Sequence, residues 1–198
     1  LMAYAREGCR IARGSIRIDG QEILGQSAQA TRKLRGGKIA YVAQSAAASF
    51  NPSRRIIDQV IEPTLIHHGC DLATARSRAL VLFRELALPD PDNIGDRYPH
   101  QVSGGQLQRM MAAMALINNP DVVIFDEPTT ALDVTTQIEV LRAFRHAIRE
   151  RNTTAIYVSH DLAVVAQMAD DILVLRHGQM QELAQTEQLI EHPQHSYT

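Results

Sequence analysis

Asp126 and Glu127 stand side by side at the end of the apolar run Val122-Val123-Ile124-Phe125. An acid delivered to the tip of a buried strand can hold Mg²⁺, a hard cation that takes oxygen ligands and keeps several waters. The next carboxylate is then free to accept a proton from an attacking water, help worth roughly 10²–10⁴-fold in rate. An Asp-Glu pair after a strand is as often a plain surface feature, so the pair alone leaves both readings open. Two further segments bear on the choice. Ser103-Gly104-Gly105-Gln106 precedes a helical run, where Ser103 suits an N-cap and the glycines leave backbone N–H groups bare for an anion such as phosphate. An ordinary capped helix would carry the same Ser-Gly-Gly. Ser159-His160-Asp161 closes the next apolar run. A lone histidine there is more often a surface or capping residue, but parallel pairing would carry His160 to the edge that bears Glu127.

These side chains need a scaffold, and the hydrophobic pattern describes one. Lys38-Ile39-Ala40-Tyr41-Val42-Ala43, Val122–Phe125, Ala155-Ile156-Tyr157-Val158 and Ile172-Leu173-Val174-Leu175 are short apolar runs separated by helical stretches at Ser103 onward, Val134 to Arg149 and Asp161 to about Met168. Such alternation predicts a parallel sheet covered on both faces. Ser15-Ile16-Arg17-Ile18-Asp19-Gly20 alternates and ends in an Asp-Gly turn, so a hairpin begins there. Between Arg54 and Pro99 the character is helical: Ile56, Ile57, Val60 and Ile61 recur at helical spacing, and Leu72, Ala75, Ala79, Leu82, Phe83 and Leu86 mark the apolar face of a second helix after Asp71. Pro89, Pro91 and Pro99 punctuate the connection that follows. Leu107, Met110, Met111 and Met114 read as the inward face of a helix rather than a soft-metal site. Thr186 is expected to cap a last helix ending before Pro193.

Composition narrows the class. With 198 residues, 45% of them hydrophobic, the chain can bury one sizeable core. A formal charge of -2 gives no electrostatic case for nucleic acid or an anionic membrane. Cys9 and Cys70 form neither a metal-ligand spacing nor a disulfide framework, which fits a reduced cytosol. No apolar stretch approaches the roughly 18 residues that span a bilayer, and Leu1-Met2-Ala3-Tyr4 runs at once into charged residues, unlike a signal peptide. A soluble intracellular domain is expected, reaching a membrane only through a partner. His67-His68 and His192-His195 cannot each share a helical face, so neither pair is assigned to metal.

Taken together, the pieces resemble the nucleotide-binding domain of ABC transporters over essentially the whole chain. Gln44 matches the family's glutamine loop, which helps coordinate Mg²⁺ and senses the transmembrane partner. Val102-Ser103-Gly104-Gly105-Gln106 looks like the family signature, with Val in place of the usual Leu. Val122 to Asp126 is similar to the Walker B strand, Glu127 falls on the catalytic glutamate, Ala131-Leu132-Asp133 on the D-loop and His160 on the switch histidine. The resemblance implies an α/β fold of the P-loop NTPase type, a mostly parallel sheet flanked by helices. It also implies a small antiparallel portion and a helical subdomain at 54–99 inserted between core portions 1–53 and 100–198. ATP and Mg²⁺ would be the cofactors, Mg²⁺ held by Gln44 and Asp126. The implied partners are a second ATPase subunit (a copy or a relative), permease subunits and, indirectly, an extracytoplasmic binding protein, with no nucleic acid. The place would be the cytoplasmic face of the membrane, peripherally. Phe50-Asn51-Pro52, Tyr98-Pro99-His100 and Glu127-Pro128-Thr129-Thr130-Ala131-Leu132-Asp133-Val134 resemble the importers of peptides and nickel, as does the tail His192 to Thr198. A non-transport ABC ATPase on ribosomes or DNA, and a non-hydrolysing regulatory cassette, are the alternatives. Neither long coiled-coil insertions nor basic extensions favour the first, and intact Asp126, Glu127 and His160 argue against the second.

The resemblance also requires Gly-x-x-x-x-Gly-Lys-Ser/Thr to cradle phosphates, and nothing in the chain fits it. Arg35-Gly36-Gly37-Lys38 is a decoy: Ile39 stands where a hydroxyl must be, and the segment leads into a strand rather than a helix. Leu1 to about Gly8 looks like the end of the helix after that loop, so the loop is expected just upstream. On this reading the 198 residues alone bind Mg-ATP weakly and are inactive, while the parent protein is an ATPase.

Overall fold

The computed structural model describes Met2 and residues 8–198; most of the Leu1–Gly8 segment discussed above lies outside them. The hairpin forms where the Asp-Gly turn places it. Strand β1 (Arg17–Ile18) and β2 (Gln21–Glu22) pair antiparallel around Asp19 at φ 50° and Gly20 at φ 74°. Two successive positive φ values match the twist of a two-residue hairpin. Helix α1 (Ala28–Leu34), capped by Ser27, leads through Gly36-Gly37 into β3 (Ile39–Val42), so the decoy glycines join a helix to a strand. Next come α2 (Ala46–Ser49), α3 (Ile56–His68) and α4 (Leu72–Glu85). Two 3₁₀ turns, Ile94–Asp96 and Pro99–Gln101, occupy the proline-punctuated stretch. They are followed by α5 (Gly104–Leu116), β4 (Val122–Asp126), α6 (Val134–Glu150), β5 (Thr154–Val158) and α7 (Leu162–Met168). The chain closes with β6 (Asp171–Arg176), β7 (Gln179–Gln185) and α8 (Thr186–Glu191).

The expected parallel sheet is present as β3-β4-β5, with β4 central. Its two faces meet different covers. Strand alternation sends Val123 and Phe125 to one side, where they join Leu107, Met110, Met111, Val140 and Phe144 in the larger core. Phe125 stacks on Phe144 with ring centroids 4.9 Å apart and on Tyr157 at 6.0 Å. Ile56, Ile57, Val60, Leu82 and Phe83 belong to the same cluster, so α3 and α4 pack continuously onto α5. On the opposite face Ile124 and Ile39 meet Ile23 and Leu34 in a smaller core. That second cover is a hairpin and a short helix, not a helical layer. It thins over β5, where Val158 is 45% exposed.

Several expectations are corrected. Ile172–Leu175 does not extend the parallel sheet: β6 pairs antiparallel with β7, with a register slip between Val174 and Leu175. An unbroken apolar run cannot tell these arrangements apart, and here Leu173 and Leu175 remain exposed. Leu72 opens α4 but is 59% exposed, because the first turn projects past the core that buries Ala75, Ala79, Leu82, Phe83 and Leu86. Thr186 is the first residue of α8 rather than its cap; its hydroxyl donates to the Ala169 carbonyl at 2.7 Å. Among the described residues no helix is long and apolar enough to cross a membrane.

Phe144 is fully buried against Phe125, so Phe144→Ala should destabilise the fold by about 3–5 kcal/mol. Chemical denaturation followed by circular dichroism measures this. A loss below about 1 kcal/mol would show that the stacked pair is not central to the core.

Candidate functional site

Parallel register brings the chemistry-bearing residues to one edge. Tyr41 pairs with Ile124 and Val42 with Phe125, while Asp126 pairs with Val158. The carboxyl ends of β3, β4 and β5 therefore lie side by side, with Asp126 as the last residue of β4 and Gln44, Glu127 and Ser159-His160 just beyond the strands. Glu127 extends the ladder one step, its N–H donating to the Val158 carbonyl at 2.9 Å. Its φ is 47°. A left-handed conformation costs a residue with a Cβ about 1–2 kcal/mol. It also breaks the strict alternation that would send the Asp126 and Glu127 side chains to opposite faces.

The Glu127 carboxylate is held from three sides. His160 Nδ1 lies 2.8 Å from Oε1, Gln44 Nε2 donates to Oε2 at 3.1 Å, and the Thr130 hydroxyl reaches Oε2 at 3.4 Å. The hydrogen bond from His160 is the main reason the Glu127 pKa sits below the ordinary carboxylate value. The same bond, with the carboxylate's charge, raises His160 above the ordinary imidazole value. Asp126 is tied separately: the Tyr41 hydroxyl donates to its Oδ2 at 2.7 Å, and this bond raises the Tyr41 pKa. Asp126 Oδ1 and the Gln44 carbonyl oxygen are left as open hard donors. No group of three or more His, Cys, Asp or Glu able to hold a metal occurs among the described residues. Two oxygens suit Mg²⁺, which keeps waters and takes substrate phosphates rather than an all-protein cage.

The Ser103 segment is organised differently. Gln106 N–H donates to Ser103 Oγ at 3.3 Å and Ser103 N–H to Gln106 Oε1 at 3.0 Å, a reciprocal capping box. Those side chains are committed to the helix start, leaving the Gly104 and Gly105 amides as its open donors. Gly105 has a second reason to be glycine. It is buried against α6, and a Cβ there would overlap the Thr136 methyl group and sit 3.6 Å from a Val140 methyl. Asp133 is the N-cap of α6, accepting from Thr136 N–H at 3.0 Å, and its pKa is lowered chiefly by its hydrogen bonds with Thr136. No hydrogen bond among the described residues joins Ser103–Gln106 to the Glu127 cluster.

A family model described as "ABC transporter" matches residues 4–130. The chain belongs to the ABC transporter family. It resembles the probable D,D-dipeptide transport ATP-binding protein of Escherichia coli, 38% identical over 95% of this chain and 57% of that protein. An oligopeptide transport ATP-binding protein of Lactococcus lactis is 37% identical over 93% of this chain and 55% of its own length. A solved dimeric ATP-binding cassette in a post-hydrolysis state with ADP and Pi superposes with a TM-score of 0.75. It is 26% identical, covering 88% of this chain and 74% of that one. The chain thus spans little more than half the length of these two transport relatives, and it is an ABC ATP-binding domain by family and fold.

Gln44, Asp126, Glu127 and His160 converge in this ABC domain, whereas Ser103, Gly104, Gly105, Gln106 and Asp133 form helix starts. Sequence reasoning missed Tyr41 and Thr130. The signal for Tyr41 was available: it lies on the Ile124 side of the pleat, so its side chain shares the face that leads to Asp126.

The pH dependence of the Glu127–His160 pair follows from the two shifts. The His160 pKa is raised, so the pair's stabilisation is fully present below the ordinary imidazole pKa and is lost as pH rises through the raised one. The Glu127 pKa is lowered, so at the acid end the contribution fades as pH falls through that lowered value. An NMR titration should find the His160 midpoint above that of a free imidazole, and Glu127→Gln should bring it down. An unchanged midpoint in the variant would mean the contact does not persist in solution.

Proposed function

We propose that this ABC domain hydrolyses ATP to drive a peptide importer, with Glu127 accepting the proton of the attacking water and His160 holding the Glu127 carboxylate through Nδ1. The observation that carries the reading is the Glu127 carboxylate held between His160 Nδ1 at 2.8 Å and Gln44 Nε2 at 3.1 Å, at the carboxyl edge of the parallel sheet. That edge is where ligands bind in open parallel sheets. A carboxylate with a lowered pKa is a modest base on its own. The Nδ1–H of His160 instead holds the carboxylate in place, and the charge of Glu127 favours the imidazole keeping that proton, so Glu127 alone takes the proton from water.

Asp126 and the Gln44 carbonyl would hold Mg²⁺, whose chemistry is to neutralise charge on the transferred phosphoryl group. Tyr41 fixes Asp126 by one oxygen and so aims the other. Ser103 to Gln106 would present backbone amides to the nucleotide of a second ATPase subunit, with Asp133 at the shared interface. The glycine–lysine phosphate loop is not written in the 198 residues, and the reading takes it to be supplied from outside them. The domain would work at the cytoplasmic face of the membrane on permease subunits, whose binding protein selects the cargo. The D,D-dipeptide and oligopeptide transport relatives support peptides as that cargo. Nickel is the alternative cargo.

In the full-length protein, Glu127→Gln should keep nucleotide affinity and lower the steady-state ATPase rate by roughly 10²–10⁴-fold. Equilibrium nucleotide titration and phosphate release measure the two. Undiminished turnover would remove Glu127 as the proton acceptor.

A further inference from the structure

Glu127 keeps a left-handed backbone without being a glycine, and such a conformation persists only where its surroundings impose it. The Val158 carbonyl holds its N–H at 2.9 Å, and the Thr130 hydroxyl holds its carbonyl at 3.2 Å. The deeper anchor is one residue nearer. Thr129 is 3% exposed, and its Oγ1 sits 3.0 Å from Gln137 Nε2 and 3.1 Å from the Tyr157 hydroxyl. The Gln137 amide donates to Oγ1, while one hydrogen bond, donated by either hydroxyl, joins the threonine to the tyrosine. Each partner is itself fixed. Tyr157 stacks on Phe125 and precedes His160 by a few residues on β5. Gln137 lies in the first turn and a half of α6, its N–H donating to the Asp133 carbonyl at 2.8 Å. The Thr129 carbonyl in turn accepts the Leu132 N–H at 3.1 Å.

We propose that Thr129, clamped between Tyr157 and Gln137, is a positioning residue that holds the 127–132 turn in the form that points Glu127 at His160 and Gln44. One hydroxyl thereby ties together the strand that leads to His160, the helix capped by Asp133 and the turn that carries Glu127. The proposal rests on the reading of Glu127 as proton acceptor.

Thr129→Val keeps the shape and removes the hydroxyl. In the full-length protein it should leave nucleotide affinity within about twofold and lower kcat by about 10- to 100-fold, the scale expected for a misplaced catalytic group. His160 should titrate closer to a free imidazole in this variant, and Thr129→Ser should restore both readouts. In a Glu127→Gln background Thr129→Val should subtract little further, because the group it positions is already gone. Equal losses in the two backgrounds, or an unmoved His160 titration, would overturn the proposal. Tyr157→Phe serves if Thr129→Val does not fold: it keeps the stacked ring, and unchanged kcat together with an unchanged His160 titration would overturn the proposal equally. Full turnover in Glu127→Gln alone would instead sink the underlying reading, whereas an inactive Glu127→Gln beside a fully active Thr129→Val would sink only this one.

Discussion

Strand β4 is paired on both sides, and the site depends on that double pairing. Its residues Val122 to Phe125 are locked in register with β3, and Val122 to Asp126 with β5. A central parallel strand has no freedom to slide, since a one-residue slip would exchange the buried Val123 and Phe125 for Ile124 and Asp126. The apolar demands of two cores therefore fix where Asp126 emerges. The Glu127 N–H then takes the next ladder position on Val158, so the catalytic candidate is held by the same hydrogen bonding that builds the sheet. A histidine two residues beyond Val158 follows with no long loop to order.

The edge itself is made of groups that constrain each other. Tyr41 occupies one oxygen of Asp126, while His160 and Gln44 occupy different oxygens of Glu127. Each carboxylate is oriented by a donor from another strand end, so neither needs its own side-chain rotamer preference to hold position. The ordering comes from the strand spacing, and the cost of the left-handed turn at Glu127 is offset by bonds on either side of it.

Most of this edge was legible because its logic is local and periodic. A continuous apolar run followed by acids, and another followed by His160, needs only the rule that parallel strands share a carboxyl edge. Gln44 after β3 is of the same kind, and it lies with Glu127 as that rule requires. What was not legible depended on partners distant in the chain. Nothing within Ile172–Leu175 says that its partner is the antiparallel β7, because that is a fact about Gln179–Gln185. Leu72 looks like a core residue by spacing, and only the end of the packed layer exposes it. Nothing in the local pattern around Tyr157, Thr129 or Gln137 shows that one buried hydroxyl joins all three.

The glycines of the Ser103 segment show how one pattern can answer two demands. Packing does not demand a glycine at Gly104, which is exposed and whose nearest neighbour is a Leu132 methyl 3.5 Å from the Cβ position; the anion role proposed for its bare amide would. Gly105 is different, since α6 passes so close that any side chain would meet Thr136. Close packing at Gly105 sets the approach of α5 to the first turn of α6, and that turn begins at Asp133, just after the segment that Thr129 anchors. The start of α5 and the turn carrying Glu127 are therefore braced against the same stretch of α6. A shift of α6 would be felt at both, although no hydrogen bond connects them directly.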